Sequence, residues 1–300
     1  MGFTEELYKK YSAEMSMNTH AAPMNEEQFS AVVVDKLRSY TCLCARDGEA
    51  ITGALFYSFR TENGRLLCDI PVYGYFASSL TLLEKLFQAV ANAAMQHGMP
   101  VRFSVGLYAH DEEALRLFSL LQFGITAQRG VRCIPAEEEN AFDIRLISKE
   151  ELAGFWDEIW ALAEGIGQQL RNAPAFLPGE ELGEDGEDRC WRFFTADTTR
   201  VFGAFAEGQL VGILETDDEE DDLVCMNHWN VRMGNAFLLP QYRGSGMAEA
   251  LLRYAETYEA QRGAEYAWVE HSTANSVSRH FWNRYFESWC FRLERDVEQL

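Results

Sequence analysis

The sequence predicts an α/β (α+β) chain that passes through one structural plan twice, and three observations support this prediction. In each half a turn that ends in glycine joins two apolar strands, at Asp47-Gly48 and at Glu207-Gly208. In each half a later strand then ends at a proline, Pro71 or Pro240, and a leucine-rich helix follows. The 300 residues are also enough for two domains of ordinary size. We therefore expect two tandem domains.

The division between the domains is predicted within the acidic segment 135–140, PAEEEN. This segment separates an apolar strand that ends at Cys133 from a second strand that begins at Phe142. A run of like charges between two apolar strands is typical of a solvated linker. We expect one domain over residues 1–138 and the other over residues 139–300.

The charge of the chain restricts its partners. Its formal net charge is −21 at pH 7. A nucleic-acid-binding surface needs clustered lysine and arginine, so we expect no nucleic-acid partner. An acidic cleft concentrates amines, which favours a cationic substrate. No run of apolar residues approaches the roughly 18 needed for a membrane span, so we expect no membrane partner either.

The seven cysteines show no spacing of the kind that binds zinc. Cys42 and Cys44 alternate in an apolar strand and should face the same side of it. We expect reduced, mostly buried thiols, no metal and a cytoplasmic location.

Residues 237–252, FLLPQYRGSGMAEALL, are the most informative segment. A strand ends at Pro240, a turn containing Gly244 and Gly246 follows, and a helix begins. Backbone amides of such a loop, together with the helix N-terminus, bind phosphate, and glycine lets an anion approach the backbone. The loop has neither the Lys-Ser/Thr pair of a P-loop nor the Rossmann fingerprint. It therefore predicts a phosphate-binding loop of another kind.

The elements that follow the loop have a definite order. A helix is predicted from about Gly246 to Arg262, where Gly263 ends it. A short strand, Tyr266 to His271, comes next, and a second helix opens at Asn275.

The motif Arg243-x-x-Gly246-x-Ala248 resembles the pyrophosphate-binding signature of the GNAT superfamily of acyl-CoA-dependent N-acetyltransferases. The order of strand, loop, helix, strand and helix is also that of the family. The second helix, Asn275-x-x-Ser278-x-x-Phe281-Trp282, is similar to the family pattern, with Trp282 where tyrosine is usual. The resemblance implies that each domain is a mixed, mostly antiparallel sheet flanked by helices, and that acetyl-CoA is the co-substrate.

The resemblance also assigns cofactor-binding residues. In the family the strand before the loop splays from the next strand and binds pantetheine through free backbone groups, here those of Phe237, Leu238 and Leu239. The loop backbone is implied to hold the pyrophosphate, with added charge from the arginine: Arg243, Gly244, Ser245, Gly246, Met247 and Ala248. Asn275 resembles an asparagine that contacts the CoA arm, and it also suits a helix N-cap.

Acetyl transfer to an amine needs a base, and three residues are candidates. Glu270 and His271 end the strand that faces the cofactor, and strand alternation sends at most one of them into the cleft. Glu215 ends another strand and is the third candidate. The indole of Trp282 cannot protonate a thiolate. The candidates for the acid are therefore Tyr285, one helical turn further on, another tyrosine, or a water molecule.

The first half departs from this pattern. Alignment of Pro71 with Pro240 puts Gly74 in the place of Arg243. Asp111 stands where the second half has its asparagine, and a carboxylate is unfavourable beside phosphates. We expect a degenerate domain with a structural or substrate-shaping role.

The sequence thus predicts an N-acetyltransferase that moves acetyl from acetyl-CoA to a primary amine by direct attack in a ternary complex. The acceptor is expected to be a small cationic molecule. The alternative is a non-catalytic acyl-CoA-binding or regulatory protein, which Trp282 favours. A third hypothesis is an enzyme of the same fold that uses another acyl donor or an aminoacyl-tRNA. The acidic charge of the chain argues against the aminoacyl-tRNA. We expect either a monomer whose domains pair internally or a homodimer.

Overall fold

A computed structural model describes residues 3–135, 141–172, 174–176, 184–221, 223–225 and 228–298 of the chain. The chain forms two compact units, Met1–Gly130 with Glu287–Leu300, and Val131–Phe286. The predicted boundary between residues 138 and 139 lies outside the described residues. The domain ranges 1–138 and 139–300 stay a prediction, and the units differ from them most at residues 287–300, which belong to the first unit.

The first unit begins with two helices and continues with strands and helices in alternation. Its elements are α1 (Phe3–Met17), α2 (Glu26–Leu37), β1 (Thr41–Asp47), β2 (Ala50–Glu62), β3 (Arg65–Ile70), β4 (Tyr75–Ala77), α3 (Leu80–Met95), β5 (Val101–Tyr108), α4 (Glu112–Leu120) and β6 (Gly124–Cys133), of which residues 131–133 belong to the second unit. Side chains that accept backbone hydrogen bonds fix three of the helix starts, because they satisfy amides that have no partner within the helix: Asn25, Ser79 and Asp111.

The second unit contains β7 (Asp143–Ile147), α5 (Lys149–Leu152), α6 (Trp156–Arg171), α7 (Glu184–Thr195), β8 (Thr199–Ala206), β9 (Gln209–Asp217), β10 (Asn230–Leu238), α8 (Met247–Arg262), β11 (Tyr266–Ser272) and α9 (Ser276–Tyr285). The helix and strand predicted after the loop are therefore present within a residue of their expected bounds. The last strand of the described chain, β12 (Glu287–Val297), follows α9 directly and lies in the first unit.

The sheet of the first unit is mixed and mostly antiparallel. β1 pairs with β2 and β2 with β3 in antiparallel fashion, and the predicted turn at Asp47-Gly48 joins the first pair. β3 and β5 are parallel, from Leu66 opposite Val101 to Ile70 opposite Val105. β12 then adds an antiparallel strand along the whole of β5.

The sheet of the second unit has the same character. β7, β8, β9 and β10 pair successively in antiparallel fashion, with the predicted turn at Glu207-Gly208 between β8 and β9. β10 and β11 are parallel, but only from Asn230 opposite Tyr266 to Met233 opposite Val269. The predicted fold, two domains whose strands are mixed and mostly antiparallel and are flanked by helices, is confirmed.

Apolar helix faces hold these sheets in place. In the first unit Phe87 of α3 packs edge-on against Phe103, Phe118 and Phe123. In the second unit one buried cluster joins the sheet to α8 and α9, and a second joins it to α5, α6 and α7. Each large apolar side chain buried in this way contributes about 1.5–3 kcal/mol.

The seven cysteines are all free thiols, but the expectation that most are buried is wrong. Only Cys68, Cys225 and Cys290 are buried, whereas Cys42, Cys44 and Cys133 are exposed and Cys190 is half-buried. The reason is that Cys42 and Cys44 lie on the face of β1 that no other element of the described chain covers fully. Within the described ranges, no helix is both long and apolar enough to span a bilayer.

Candidate active site

A cleft of about 380 Å³ opens in the second unit where β10 and β11 part. The two strands pair only as far as Met233 and Val269, and beyond these residues they diverge. The strand splay that the resemblance implies is therefore present. The cleft is lined by parts of α6, β9, β10, the loop before α8, β11 and α9: Ile166, Gln169, Leu170, Ile213–Glu215, Arg232–Leu238, Arg243, Gly244, Ala248, Leu251, Glu270–Ser272, Asn275, Val277, Ser278, Phe281 and Trp282.

A β-bulge shapes one wall of the cleft. The register between β9 and β10 shifts between Met233 and Ala236, so that Gly234 and Asn235 lie opposite the single residue Glu215. A Cβ atom on Gly234 would collide with the Glu215 side chain, 2.6 Å from its Cγ. Bulges re-aim side chains, and here glycine leaves the space that the glutamate occupies.

Glu215 is a buried carboxylate on the cleft wall, with 0% of its surface exposed. The Asn235 amide donates to Oε1 at 3.0 Å, whereas Oε2 has no hydrogen-bond partner among the described residues. Burial raises the pKa of Glu215 to about 7, although hydrogen bonds from Asn235 and the charge of Arg232 act in the opposite direction. A carboxylate with this pKa can accept a proton near neutral pH.

The glycine-containing loop presents amides that the protein leaves open. Gly244 (φ +77°) and Gly246 (φ +92°) both have left-handed backbone, which strongly favours glycine. Across the described part of the chain, the amides of Gly244, Ser245, Gly246 and Ala248 have no acceptor. α8 also begins without a side-chain cap. Open amides at a helix N-terminus are an arrangement that suits an anion, and we refer to these groups as the anion cradle.

One amide of the predicted cradle is already used within the protein. Met247 N donates to Ser245 Oγ at 3.3 Å, and this hydroxyl donates to Tyr242 O at 2.6 Å. The sequence motif could not show this, because the bond depends on the rotamer of Ser245. Met247 is therefore corrected from a phosphate-binding amide to part of the loop's internal support.

Arg243 is tied to the cleft wall by three contacts. Its Nε donates to Leu238 O at 2.9 Å, its Nη2 donates to Gln169 Oε1 at 3.1 Å, and its guanidinium lies 5.1 Å from the centre of the Phe237 ring. Gln169 also donates to Asn275 Oδ1 at 2.9 Å. Gln169 therefore connects the arginine of the loop with the asparagine at the start of α9. Sequence analysis missed this glutamine, because it lies on α6, far from both motifs in the chain.

Asn275 combines two roles. Its Oδ1 accepts from Ser278 N at 3.2 Å and so caps α9, as the sequence predicts, and it also lines the cleft. Phe237 and Leu238 line the cleft as well. Leu239 does not, because its amide donates to Val211 O at 2.9 Å and its carbonyl accepts from Tyr242 N at 3.0 Å. Leu239 is thus corrected, since both of its backbone groups are engaged.

Glu270 and His271 both contribute to the cleft lining. The expectation that strand alternation sends at most one of the two side chains into the cleft stays a prediction. His271 is mostly buried, and burial lowers its pKa, so the ring is neutral near pH 7. Its Nε2 and Nδ1 lie 3.3 Å from Asn283 Oδ1 and Ser272 O.

Tyr285, the predicted acid, is not among the residues that line the cleft. Its ring lies beneath two guanidinium groups, those of Arg132 at 5.5 Å and Arg253 at 5.9 Å. Burial and the neighbouring Glu249 raise its pKa, which makes the phenol a weaker acid. Tyr285, one helical turn beyond Trp282, therefore lies away from the cleft. The structure does not support its assignment as the acid.

The cleft offers carboxylates and amides rather than a metal centre. Among the residues that the structure describes, no group of three or more histidine, cysteine, aspartate or glutamate side chains is placed to hold a metal ion.

Comparisons with known proteins agree with this geometry. Residues 168–287 match the acetyltransferase (GNAT) family, a range that contains the loop, Glu215 and Asn275. A segment of 133 residues is 29% identical to the streptothricin acetyltransferase of Streptomyces lavendulae. It covers 42% of this chain and 66% of that protein, so the match spans slightly less than two thirds of the relative.

A solved structure shares the fold over most of the chain. The GCN5-related N-acetyltransferase from Sphaerobacter thermophilus superposes with a TM-score of 0.54, over 90% of this chain and 86% of that one, at 12% identity. The divergent strands and the open loop amides lie within residues 168–287, the range that is similar to the acetyltransferase (GNAT) family.

Proposed function

We propose that the second unit transfers acetyl from acetyl-CoA to a primary amine of a small cationic molecule, by direct attack in a ternary complex. The observation that carries this proposal is Glu215, a buried carboxylate with a pKa of about 7, which lies in the same cleft as the anion cradle and whose Oε2 has no hydrogen-bond partner among the described residues. A proton acceptor and a phosphate-binding loop in one cleft suit the acylation of an amine.

The residues of the cradle fit the diphosphate of CoA. The open amides of Gly244, Ser245, Gly246 and Ala248 would hold its anionic oxygens at the start of α8. The edge of β10 that leaves β11 would hold the extended arm through backbone groups near Phe237. Acetyl-CoA itself supplies an activated thioester, so the chain must mainly position the donor and remove a proton.

Glu215 is proposed as the base. A primary amine is an ammonium ion near neutral pH, and it must lose a proton before it can attack a thioester. Oε2 of Glu215 accepts that proton, while Asn235 holds Oε1 and fixes the orientation of the carboxylate. Glu270 also lines the cleft and is proposed to attract the cation rather than to deprotonate it.

Water is proposed to return a proton to the departing thiolate. Trp282 lies where the family usually has tyrosine, and its side chain is 4% exposed within the apolar cluster of α8 and α9. No tyrosine appears among the described residues that line the cleft. A thiolate is a stable leaving group, so this step places a lower demand on the protein than the deprotonation of the amine.

A small cationic acceptor suits both the charge and the relatives of the chain. The net charge of −21 attracts cations, and two carboxylates lie on the cleft wall. The relative from Streptomyces lavendulae is named for streptothricin. We extend only the class, a small amine, to this protein.

A second candidate function is a non-catalytic acyl-CoA-binding protein, and Trp282 is the observation that favours it. The two functions differ in turnover. Thermal shift with acetyl-CoA tests the cradle, and release of free thiol against a panel of primary amines tests transfer. Stabilisation with turnover supports the enzyme, stabilisation without turnover on any amine supports the binding protein, and no stabilisation contradicts both.

The cytoplasmic location, the assignment of residues 1–138 and 139–300 as domains, and the choice between a monomer and a homodimer remain predictions from the sequence. Sedimentation of the full chain with and without acetyl-CoA tests the last of these.

A further inference from the structure

Two thiols lie side by side at the edge of the first unit, far along the chain from every residue of the cleft. Cys42 and Cys44 alternate along β1 and face the same side, as the sequence predicts, and their Sγ atoms are 3.2 Å apart. Both residues are exposed. β1 is the terminal strand of its sheet, with β2 as its only strand neighbour among the described residues, so the pair is open to solvent.

We propose that Cys42 and Cys44 form a chelating site for one soft, thiophilic d¹⁰ cation of low coordination number, of which Cu(I) is the representative. This site is independent of the acetyl transfer proposed for the second unit. It would bind whether or not the cleft turns over an amine.

Strand geometry favours a bridging atom over a direct bond between the two sulfurs. Residues two apart in a strand have Cα atoms roughly 6.4–6.8 Å apart, at the upper limit of about 6.8 Å for disulfides. Their Cβ atoms point the same way, whereas a disulfide needs them about 3.5–4.5 Å apart. Two metal–sulfur bonds of about 2.3 Å each span the pair after small side-chain rotations.

The number of donors then selects the metal. Structural zinc and iron–sulfur clusters take four protein ligands. The described part of the chain places no third histidine, cysteine, aspartate or glutamate within a metal-binding group, so these sites are excluded for this pair. Thiolate ligands select soft cations, and Cu(I) is the first-row ion that two thiolates satisfy.

The site would be filled by exchange of the two thiol protons for the metal. Binding breaks two S–H bonds, releases two protons and forms two S–Cu bonds, and no atom changes its oxidation state.

The test is an anaerobic titration of the reduced full chain with Cu(I), in competition with a chromophoric Cu(I) chelator. We expect one equivalent to be withdrawn from the chelator per chain. Cys42→Ser and Cys44→Ser should each weaken binding by at least about 10²-fold, because a single thiolate has no chelate partner. Cys133→Ser removes the other exposed thiol and is the matched control, which should bind as the wild type does.

Three results would overturn the site. The first is equal binding by the Cys42→Ser/Cys44→Ser double variant. The second is an equal loss in the Cys133→Ser control. The third is a disulfide between Cys42 and Cys44. It would lower the mass of the protein by two hydrogens under non-reducing conditions and would prevent Cu(I) binding until the pair is reduced. Acetyl-CoA binding by the double variant should equal that of wild type, which separates this test from the one for the cleft.

Discussion

In the first unit the chain that follows β3 folds back onto β5, whereas in the second unit the chain that follows β10 leaves β11 and a cleft opens. The parallel pairs are similar up to that point. Val72 then packs so tightly on Gly106 that a Cβ there would lie 2.6 Å from its backbone nitrogen. Tyr75 is buried and donates to Asp111 at 2.8 Å, and Lys10 pairs with the same carboxylate. The same plan thus yields a packed core in one unit and an open cleft in the other.

The N-termini of α3 and α8 also differ, because the first is closed by a side chain and the second is left open. α3 is capped by Ser79, whose Oγ accepts from Leu82 N at 3.2 Å. α8 begins at Gly246 with no side-chain cap and with open amides. A cap stabilises a helix by about 1 kcal/mol, so its absence is a cost of keeping the amides free for an anion. The first unit makes stabilising contacts, such as the cap of α3, that the second unit lacks at the equivalent places. These missing contacts mark the candidate binding site of the second unit.

The sharpest test of the comparison is Glu215, the base that we propose for the second unit. Glu215→Gln should lower kcat by about 10²–10⁴-fold and leave acetyl-CoA affinity unchanged, because the amide cannot accept the proton. Wild-type activity should also fall as pH drops below about 7, where Glu215 becomes protonated. Thiol release over a pH series measures both effects.

The matched control for this change is Glu270→Gln, which alters a second carboxylate of the same cleft and should keep most of the turnover. If Glu270→Gln abolishes activity and Glu215→Gln does not, the assignment of the base is reversed.

Stability against pH should separate two carboxylates, the buried Glu215 of the second unit and the half-buried Asp111 of the first. The pKa of Glu215 is raised from 4.5 to about 7, so between these values the folded chain binds more protons than the unfolded chain. Its contribution to the free energy of unfolding therefore falls as pH rises through this window. Glu215→Gln removes that loss and should stabilise the protein at pH 8, relative to pH 4, by at most about 3 kcal/mol.

Asp111 should show the opposite sign. Burial raises its pKa, but the charge of Lys10 and hydrogen bonds outweigh burial, and the net pKa is lowered. Its contribution is present above its ordinary pKa and is lost as pH falls. Urea unfolding of wild type, Glu215→Gln and Asp111→Asn over a pH series measures how each substitution changes the dependence of the free energy of unfolding on pH. Changes of the same sign for the two variants would contradict the contrast.

Each chain should bind one molecule of acetyl-CoA, at the glycine-containing loop before α8. Gly246→Ala forces an alanine into left-handed backbone at a cost of about 1–2 kcal/mol, which should weaken acetyl-CoA binding by about tenfold. Gly208→Ala is the matched control, because Gly208 has φ +79° in the β8–β9 turn, outside the cleft. It should lose stability and keep its affinity. Calorimetric titration measures both, and a stoichiometry of two would show that the first unit also binds.

The smallest expected effect concerns the helix caps. Ser79→Ala should lower the free energy of unfolding by about 1 kcal/mol and leave acetyl-CoA affinity unchanged. Asn275→Ala removes a cap of the same kind in the second unit, but this residue also lines the cleft, so affinity should fall as well. Equal affinities for the two variants would mean that Asn275 is only a cap.

Local features were the ones that the sequence could predict. The turns at Asp47-Gly48 and Glu207-Gly208, the end of α8 at Gly263 and the cap at Asn275 depend on residues within a few positions of each other. Such short-range preferences are written directly in the residue types. The loop before α8 was recognisable for the same reason.

Long-range features were not predictable in the same way. Gln169 reaches the site from α6, and its role depends on packing between distant segments. Glu215 was one of several carboxylate candidates until the bulge at Gly234 showed where its side chain lies. Tyr285 and Leu239 were misplaced because spacing along one element does not reveal which neighbours occupy its faces.

The insertion of β12 has a consequence for biosynthesis. This strand pairs with β5 along its full length, from Cys290 opposite Tyr108 to Val297 opposite Val101. A ribosome therefore completes β5 almost two hundred residues before its partner emerges. During that interval the nascent chain carries an unpaired strand edge, which is prone to aggregation. Removing residues 287–297 should thus damage the part of the protein that is made first.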